Sequence, residues 1–107
     1  MKQILTTTTF DIPNKKIIKN LGIVRGNTIR SRNIGRDIGA AFKNLVGGEI
    51  KSYTEMISQA RDEAFNRMIN QAIELDADAV IGIRFTSSSV MSGASEILAY
   101  GTAVKIK

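Results

Sequence analysis

Arg61 is the residue whose position is hardest to explain by packing alone. At 100° per residue it falls inside the apolar arc of a predicted helix. Its neighbours on that arc are Ile57, Ala64, Phe65 and Met68. A buried guanidinium requires a partner, and the candidates are Asp37 or a carboxylate of a neighbouring subunit, such as Asp62 or Glu63. The simpler interpretation is therefore a structural arginine that orients two helices or a subunit contact.

The second interpretation makes the same guanidinium part of an anion site. Basic side chains and the free N–H groups of a glycine pair before the helix would hold a carboxylate or a phosphate. The ligand-binding residues of this hypothesis are Arg25, Arg32, Arg36, Asp37, Gly47, Gly48 and Arg61. In a ring of subunits, the copies of four arginines around the symmetry axis would also form a basic rim: Arg25, Arg30, Arg32 and Arg36.

The composition argues against catalysis and against a soft-metal site. The chain has no cysteine and no histidine, which removes thiolate nucleophiles, imidazole bases and the usual soft metal ligands. Met56 and Met68 have the helical spacing of core residues. The serines at 87–89 have no histidine base. The acidic pairs, Asp62 with Glu63 and Asp76 with Asp78, are most simply solvated surface. We expect no enzymatic activity, no catalytic residue and no metal ligand, and nothing identifies a cofactor.

The charge is unevenly distributed along the 107 residues. The formal net charge is +5, with +7 in residues 1–51 and −2 in residues 52–107. The aromatic residues do not alternate with the basic ones as a stacking platform would require, so nucleic acid is an improbable partner. No basic and apolar leader opens the chain, and no apolar run has the length of a membrane span. We expect a cytoplasmic protein with no membrane partner.

The periodicity places these residues on an α+β domain of order β-β-α-α-β-β. A turn at 12–15 is expected to join the first two strands as a hairpin, and Gly22 and Gly26 are expected to bend the second. A short helix follows from Asn33 and ends at Gly47 and Gly48. The predicted strands cover residues 3–10, 16–29, 79–86 and 96–107, with a loop at 86–95.

The long helix is predicted over residues 52–75. Ser52 and Glu55 form a capping box that would start it. Its apolar stripe is wide enough to be covered on two sides. An antiparallel sheet packed on this helix would still expose its other face, which is partly apolar. A second copy of the chain is the simplest cover, so we expect a homo-oligomer.

Short segments along nearly the whole chain resemble the YbjQ-like family of small, mostly bacterial proteins of unknown function. The segments are residues 6–8, 21–26, 33–37, 42–48, 60–61, 77–82 and 101–104. The resemblance implies a single α+β domain over residues 1–107 that is a subunit of a ring-shaped oligomer, a pentamer or a pair of pentamers. It implies self-association as the main partnership.

The family's label of heavy-metal binding gives an alternative function. A divalent or heavy metal would then be held by Asp and Glu oxygens from adjacent subunits. Against it, we expect a non-enzymatic ring that has a structural role or binds a small anion.

Overall fold

The computed structural model describes residues 3–31, 48–91 and 94–107. Within them the chain forms a four-stranded mixed sheet and one long helix. The elements are β1 (Leu5–Thr6), β2 (Ile17–Ser31), α1 (Gly48–Glu74), β3 (Ala79–Met91) and β4 (Ala94–Ile106). The predicted short helix that starts at Asn33 lies outside the described residues. None of the helical structure described is long and apolar enough to cross a membrane.

The sheet has the strand order β1-β3-β4-β2. A wholly antiparallel sheet was predicted, but one pair of strands is parallel. β1 runs parallel to β3, with Leu5 opposite Ala79, whereas β4 is antiparallel to both β3 and β2. The predicted hairpin between the first two strands is therefore wrong. The turn itself is present: Asn14 has a φ of 64°, and the Lys15 N–H donates to the Ile12 carbonyl at 3.1 Å.

The strand in the threonine-rich segment is much shorter than the predicted one, since β1 covers only Leu5–Thr6 of residues 3–10. The Thr7 and Thr9 hydroxyls lie 2.7 Å apart, and the Thr9 hydroxyl donates to the Asp11 carbonyl at 2.7 Å. Such local side-chain bonds compete with a regular strand ladder. The chain then crosses the sheet, where Ile12 packs against a small cluster formed by Ala79, Ile81 and Val104.

The predicted loop at 86–95 is also wrong in large part. β3 continues to Met91 and β4 begins at Ala94, and the pair stays in register from Arg84 opposite Tyr100 to Ser89 opposite Ser95. β-Branched and serine side chains suit the surface of an exposed hairpin, so the polar composition did not end the strand. The predicted bend in β2 is confirmed near Gly22, where the register with β4 shifts.

The helix begins at Gly48, four residues before Ser52, so the predicted capping box lies inside it. Its other end has a Schellman-type arrangement. Asp76 has a φ of 58° and donates its N–H to the Ile73 carbonyl at 2.9 Å, while the Ala77 N–H donates to the Ala72 carbonyl at 3.0 Å.

The core lies between α1 and one face of the sheet. Every fourth residue of the helix is fully buried there: Ala60, Ala64, Met68 and Ala72. The small side chains allow close approach to Gly26 of β2, where an added Cβ would lie 2.2 Å from the Ala64 carbonyl oxygen. Position 26 therefore requires glycine because β2 lies in close contact with the helix there, and not because the strand bends. Among the described residues, the sheet covers the helix on one side and Ile73 remains exposed on another.

Candidate anion-binding cleft

Arg61 lies on the exposed surface of α1 and is not buried as the helical wheel predicted. The helix packs mainly over β2 and β4 and makes few contacts with β3. The arc of the helix that carries Arg61 therefore remains open on the β3 side. Its Nη2 donates to the Ser58 hydroxyl at 3.3 Å, and this is the one hydrogen bond that the guanidinium makes within the described part of the chain.

A cleft of about 220 Å³ lies between Arg61 and the hairpin formed by β3 and β4. Its lining residues are Ile57, Arg61, Phe85, Thr86, Ser87 and Ile97. The cleft thus combines one cation, hydroxyl-bearing residues and an apolar wall.

The pleat of the sheet decides which of these side chains reach the cleft. Phe85 is paired with Ala99 and Ser87 with Ile97, and both Ala99 and Ile97 belong to the core beneath α1. Successive strand residues point to opposite faces, so Phe85 and Ser87 share the helix side. Thr86 lies between them and also borders the cleft.

The Phe85 ring is held in place by a second aromatic ring from the helix. The centroids of Phe65 and Phe85 are 6.2 Å apart with an interplanar angle of 16°. Phe85 is still 48% exposed. One part of the ring is therefore packed, and the remainder forms a flat apolar wall beside the cleft.

The remaining residues of the predicted site do not join Arg61. Asp37, Arg36, Arg32 and Gly47 lie outside the described residues, and Gly48 is the first residue of α1. Arg25 faces away from the helix because its neighbours in β2, Val24 and Gly26, face the core. It borders a second cleft, of about 260 Å³, together with Asn27, Glu96 and Leu98.

Arg30 is not part of a common basic rim with Arg25 within one subunit. It lies on the helix side of β2, where its Nη2 donates to Glu63 Oε2 at 2.8 Å. Arg67 donates to the other Glu63 oxygen at 2.5 Å and also to the Asn27 carbonyl at 2.5 Å. These three side chains connect the helix to the edge strand, so Glu63 is already paired and does not serve Arg61 within the chain.

The two arginines lower the pKa of the Glu63 carboxyl from its ordinary value. The hydrogen bond from Arg30 is the main cause, desolvation opposes it, and the positive charges of Arg67 and Arg30 add to the lowering. The carboxylate is 40% exposed, so solvent screens the pair. We therefore assign this cluster a structural role.

The acidic pair at the end of the helix is also engaged. Lys105 Nζ lies 2.9 Å from Asp76 Oδ2, and the Ile106 N–H donates to Asp78 Oδ2 at 3.0 Å. The prediction of solvated surface agrees with Asp76, whose side chain is 79% exposed, whereas Asp78 is half-buried and binds the backbone of β4.

The donors present do not fit a heavy-metal centre. The whole chain lacks cysteine and histidine. Among residues 3–31, 48–91 and 94–107 there is no group of three or more acidic side chains close enough to share a metal ion. Soft metals prefer sulfur and imidazole ligands, which the side chains of this sequence do not provide apart from methionine thioethers.

Sequence reasoning missed Ser87 because it ended the third strand at residue 86, and it missed Phe85, which lies inside that predicted strand, because nothing local placed it beside the helix. The alternation of side chains along an extended strand was the available signal. Once β3 continues to Met91, Phe85 and Ser87 fall on the same face as the core. Pairing of Phe85 with Phe65 has no local signal, because the two residues lie on different elements.

Comparison with known proteins gives a consistent result. Residues 4–107 match the family model YbjQ_1, described as "Putative heavy-metal-binding". A UPF0145 protein from Thermosipho africanus is 59% identical over 103 residues, covering 96% of this chain and 95% of that protein. Another, from Archaeoglobus fulgidus, is 54% identical and covers 99% and 98%.

A similar fold occurs in a crystal structure from Pediococcus pentosaceus. That protein belongs to the DUF74 family and is described as having unknown function. The TM-score is 0.65 at 20% identity, with 97% of this chain and 98% of that chain covered. At this identity, the similarity establishes the fold alone.

Proposed function

This chain belongs to the YbjQ-like family, and on that premise we propose that it is a non-enzymatic, self-associating protein that binds a small anion at Arg61. The observation that carries the proposal is the cleft beside the Arg61 guanidinium. Arginine in a concave, partly apolar site is well suited to an anion, because its planar donors match the geometry of a carboxylate or phosphate.

The sheet face opposite α1 supports self-association. Ile23 is 77% exposed on this face and Ile29 is 54% exposed, with Tyr100 and Arg25 beside them. The radius of gyration is 17.2 Å, whereas a compact domain of this length would have about 13 Å. An elongated subunit with an uncovered apolar face gains stability by burying that face against another copy. The pentamer or paired pentamer that the family resemblance implies would use this face.

The anion site is tested by thermal unfolding at constant ionic strength, with sodium chloride replaced stepwise by sodium acetate, whose carboxylate matches the guanidinium. A ligand that binds only the folded protein raises the midpoint in proportion to the logarithm of its concentration above the Kd. We expect a rise for the unmodified protein that is absent in Arg61→Gln.

The matched control is Lys19→Gln, which removes one exposed positive charge from β2. It should retain the anion-dependent rise. Equal responses of all three proteins would show that the anions act through general charge screening, and the proposed site would then be wrong.

Self-association is tested by native mass spectrometry of the untagged protein, with Ile23→Ser as the variant. We expect an oligomer for the unmodified chain and smaller species for the variant. A monomer at all concentrations would contradict the assembly. A stoichiometric divalent metal in the oligomer, lost on chelation, would instead support the metal-binding alternative.

A further inference from the structure

We infer that the anion held at Arg61 is a carboxylate attached to a small, flat, aromatic body, and that free inorganic anions are poor ligands. The inference rests on the proposed anion site and narrows the chemical class of its ligand. It follows from the division of the cleft into a polar end and an apolar end.

The polar end is suited to a single negative charge. Arg61 is the one cation among the described residues that line the cleft, and the Ser87 side chain is a neutral donor on the same side of the sheet. One guanidinium matches a carboxylate by two parallel N–H donors. A phosphate that carries two charges would require further cations to offset its desolvation.

The apolar end of the cleft would contribute nothing to the affinity for an inorganic ion. Ile57, Ile97 and Phe85 form this wall, and Ile97 is part of the buried core. A hydrated anion at Arg61 would leave the accessible parts of Ile57 and Phe85 exposed to water. A ligand with an apolar body would bury them and so gain the hydrophobic contribution that the wall offers.

The aromatic class is indicated by the Phe85 ring. Its stacking on Phe65 fixes the orientation of the ring before any ligand binds, so little side-chain freedom is lost on binding. The 48% of Phe85 that remains exposed provides a flat contact surface. Offset or edge contacts between aromatic rings add to the gain from buried area alone.

The cleft has room for a body of about one ring. Its volume of about 220 Å³ is below the about 300–1,000 Å³ of sites that hold drug-sized molecules. Benzoate is therefore a suitable probe, and its expected Kd is on the order of 1 mM for a ligand of this size.

The test is ligand-observed saturation-transfer NMR with benzoate, together with competition by acetate, phosphate and benzamide. Benzamide has the shape of benzoate without its charge, and acetate has the carboxylate without the ring. We expect benzoate to bind at least about tenfold more tightly than either, given the sizes of charge-assisted and aromatic contacts. Its ring protons should receive the strongest saturation.

Two variants separate the two ends of the cleft. Arg61→Gln should abolish the preference for benzoate over benzamide. Phe85→Leu keeps an apolar side chain and should reduce the preference for benzoate over acetate by several-fold. Circular dichroism checks that each variant is folded, and if Phe85→Leu does not fold, Ile57→Val provides a smaller change in the same apolar wall.

The outcomes distinguish this inference from the proposed function. If acetate or phosphate binds as well as benzoate, and Arg61→Gln abolishes that binding, the anion site stands and the aromatic class is wrong. If benzoate and benzamide bind equally in the unmodified protein and in Arg61→Gln, or if no anion binds, both the inference and the proposed anion site are wrong.

Discussion

The two faces of the sheet differ in how they use their hydrophobic residues. On the helix side, small residues allow close packing: Ala60 and Ala64 are fully buried and Gly26 touches the helix backbone. On the opposite side, Ile23 and Ile29 are large and exposed beyond the region that Ile12 covers. The residues on the helix side thus stabilise the fold of a single chain. The exposed apolar residues on the opposite side would add stability by being buried against another molecule.

The largest expected effect is a difference in the free energy of unfolding between one substitution on the helix side of the sheet and one on the opposite side. Met68→Ala removes a fully buried side chain and should lower the free energy of unfolding by about 2–5 kcal/mol at every protein concentration. Ile23→Ala should change it by less than about 0.5 kcal/mol in dilute solution, where the residue is exposed. Urea unfolding at two protein concentrations measures both.

The concentration dependence is the informative part of this comparison. Stability that comes from association rises with protein concentration. Ile23→Ala should remove most of that rise, and Met68→Ala should leave it in place. If the two variants lost the same amount regardless of concentration, the distinction between the faces would be wrong.

A second prediction concerns the close contact between β2 and the helix. Gly26→Ala places a Cβ against the Ala64 carbonyl and should cost about 1–3 kcal/mol or more through overpacking. Gly22→Ala is the matched control, since an added Cβ there has nothing within 4 Å. That control carries only the backbone cost of its φ of 106°, about 1 kcal/mol. Chemical denaturation compares them, and a Gly26→Ala protein as stable as the control would contradict the contact.

The smallest effect is a pH dependence at the helix-side ion pairs. The folded state lowers the pKa of Glu63, so its contribution is present above the pKa of the unfolded chain and is lost as pH falls through the folded value. The difference in urea midpoint between the unmodified protein and Glu63→Gln should therefore shrink from pH 7 to pH 3. Asp62→Asn, at an exposed neighbouring carboxylate, controls for the loss of one charge. A difference that stayed constant with pH would show that the pairs do not stabilise the folded chain.

Only part of the cleft could be predicted from the sequence. Arg61 was identified as an anomaly from its position on the helical wheel, but its predicted burial assumed that the helix is covered on two sides. The helix lies over β2 and β4, so the side toward β3 is open and the guanidinium reaches solvent. Ser87 lies on the helix side of the sheet because β3 extends past residue 86, and Phe85 borders the cleft because its ring stacks on Phe65 of the helix. Hairpin length depends on cross-strand pairing, which single-strand composition does not encode.

The sequence by itself determined the features that depend on local periodicity. The alternation along β4, the irregularity at Gly22 and the helical spacing of Ala60, Ala64 and Met68 are all explained by side-chain direction within one element. Tertiary structure alone decided that β1 pairs with β3 and that Gly26 meets the helix. It also placed Arg61 beside Phe85. These features depend on contacts between residues far apart in the chain, for which local propensity supplies no preference.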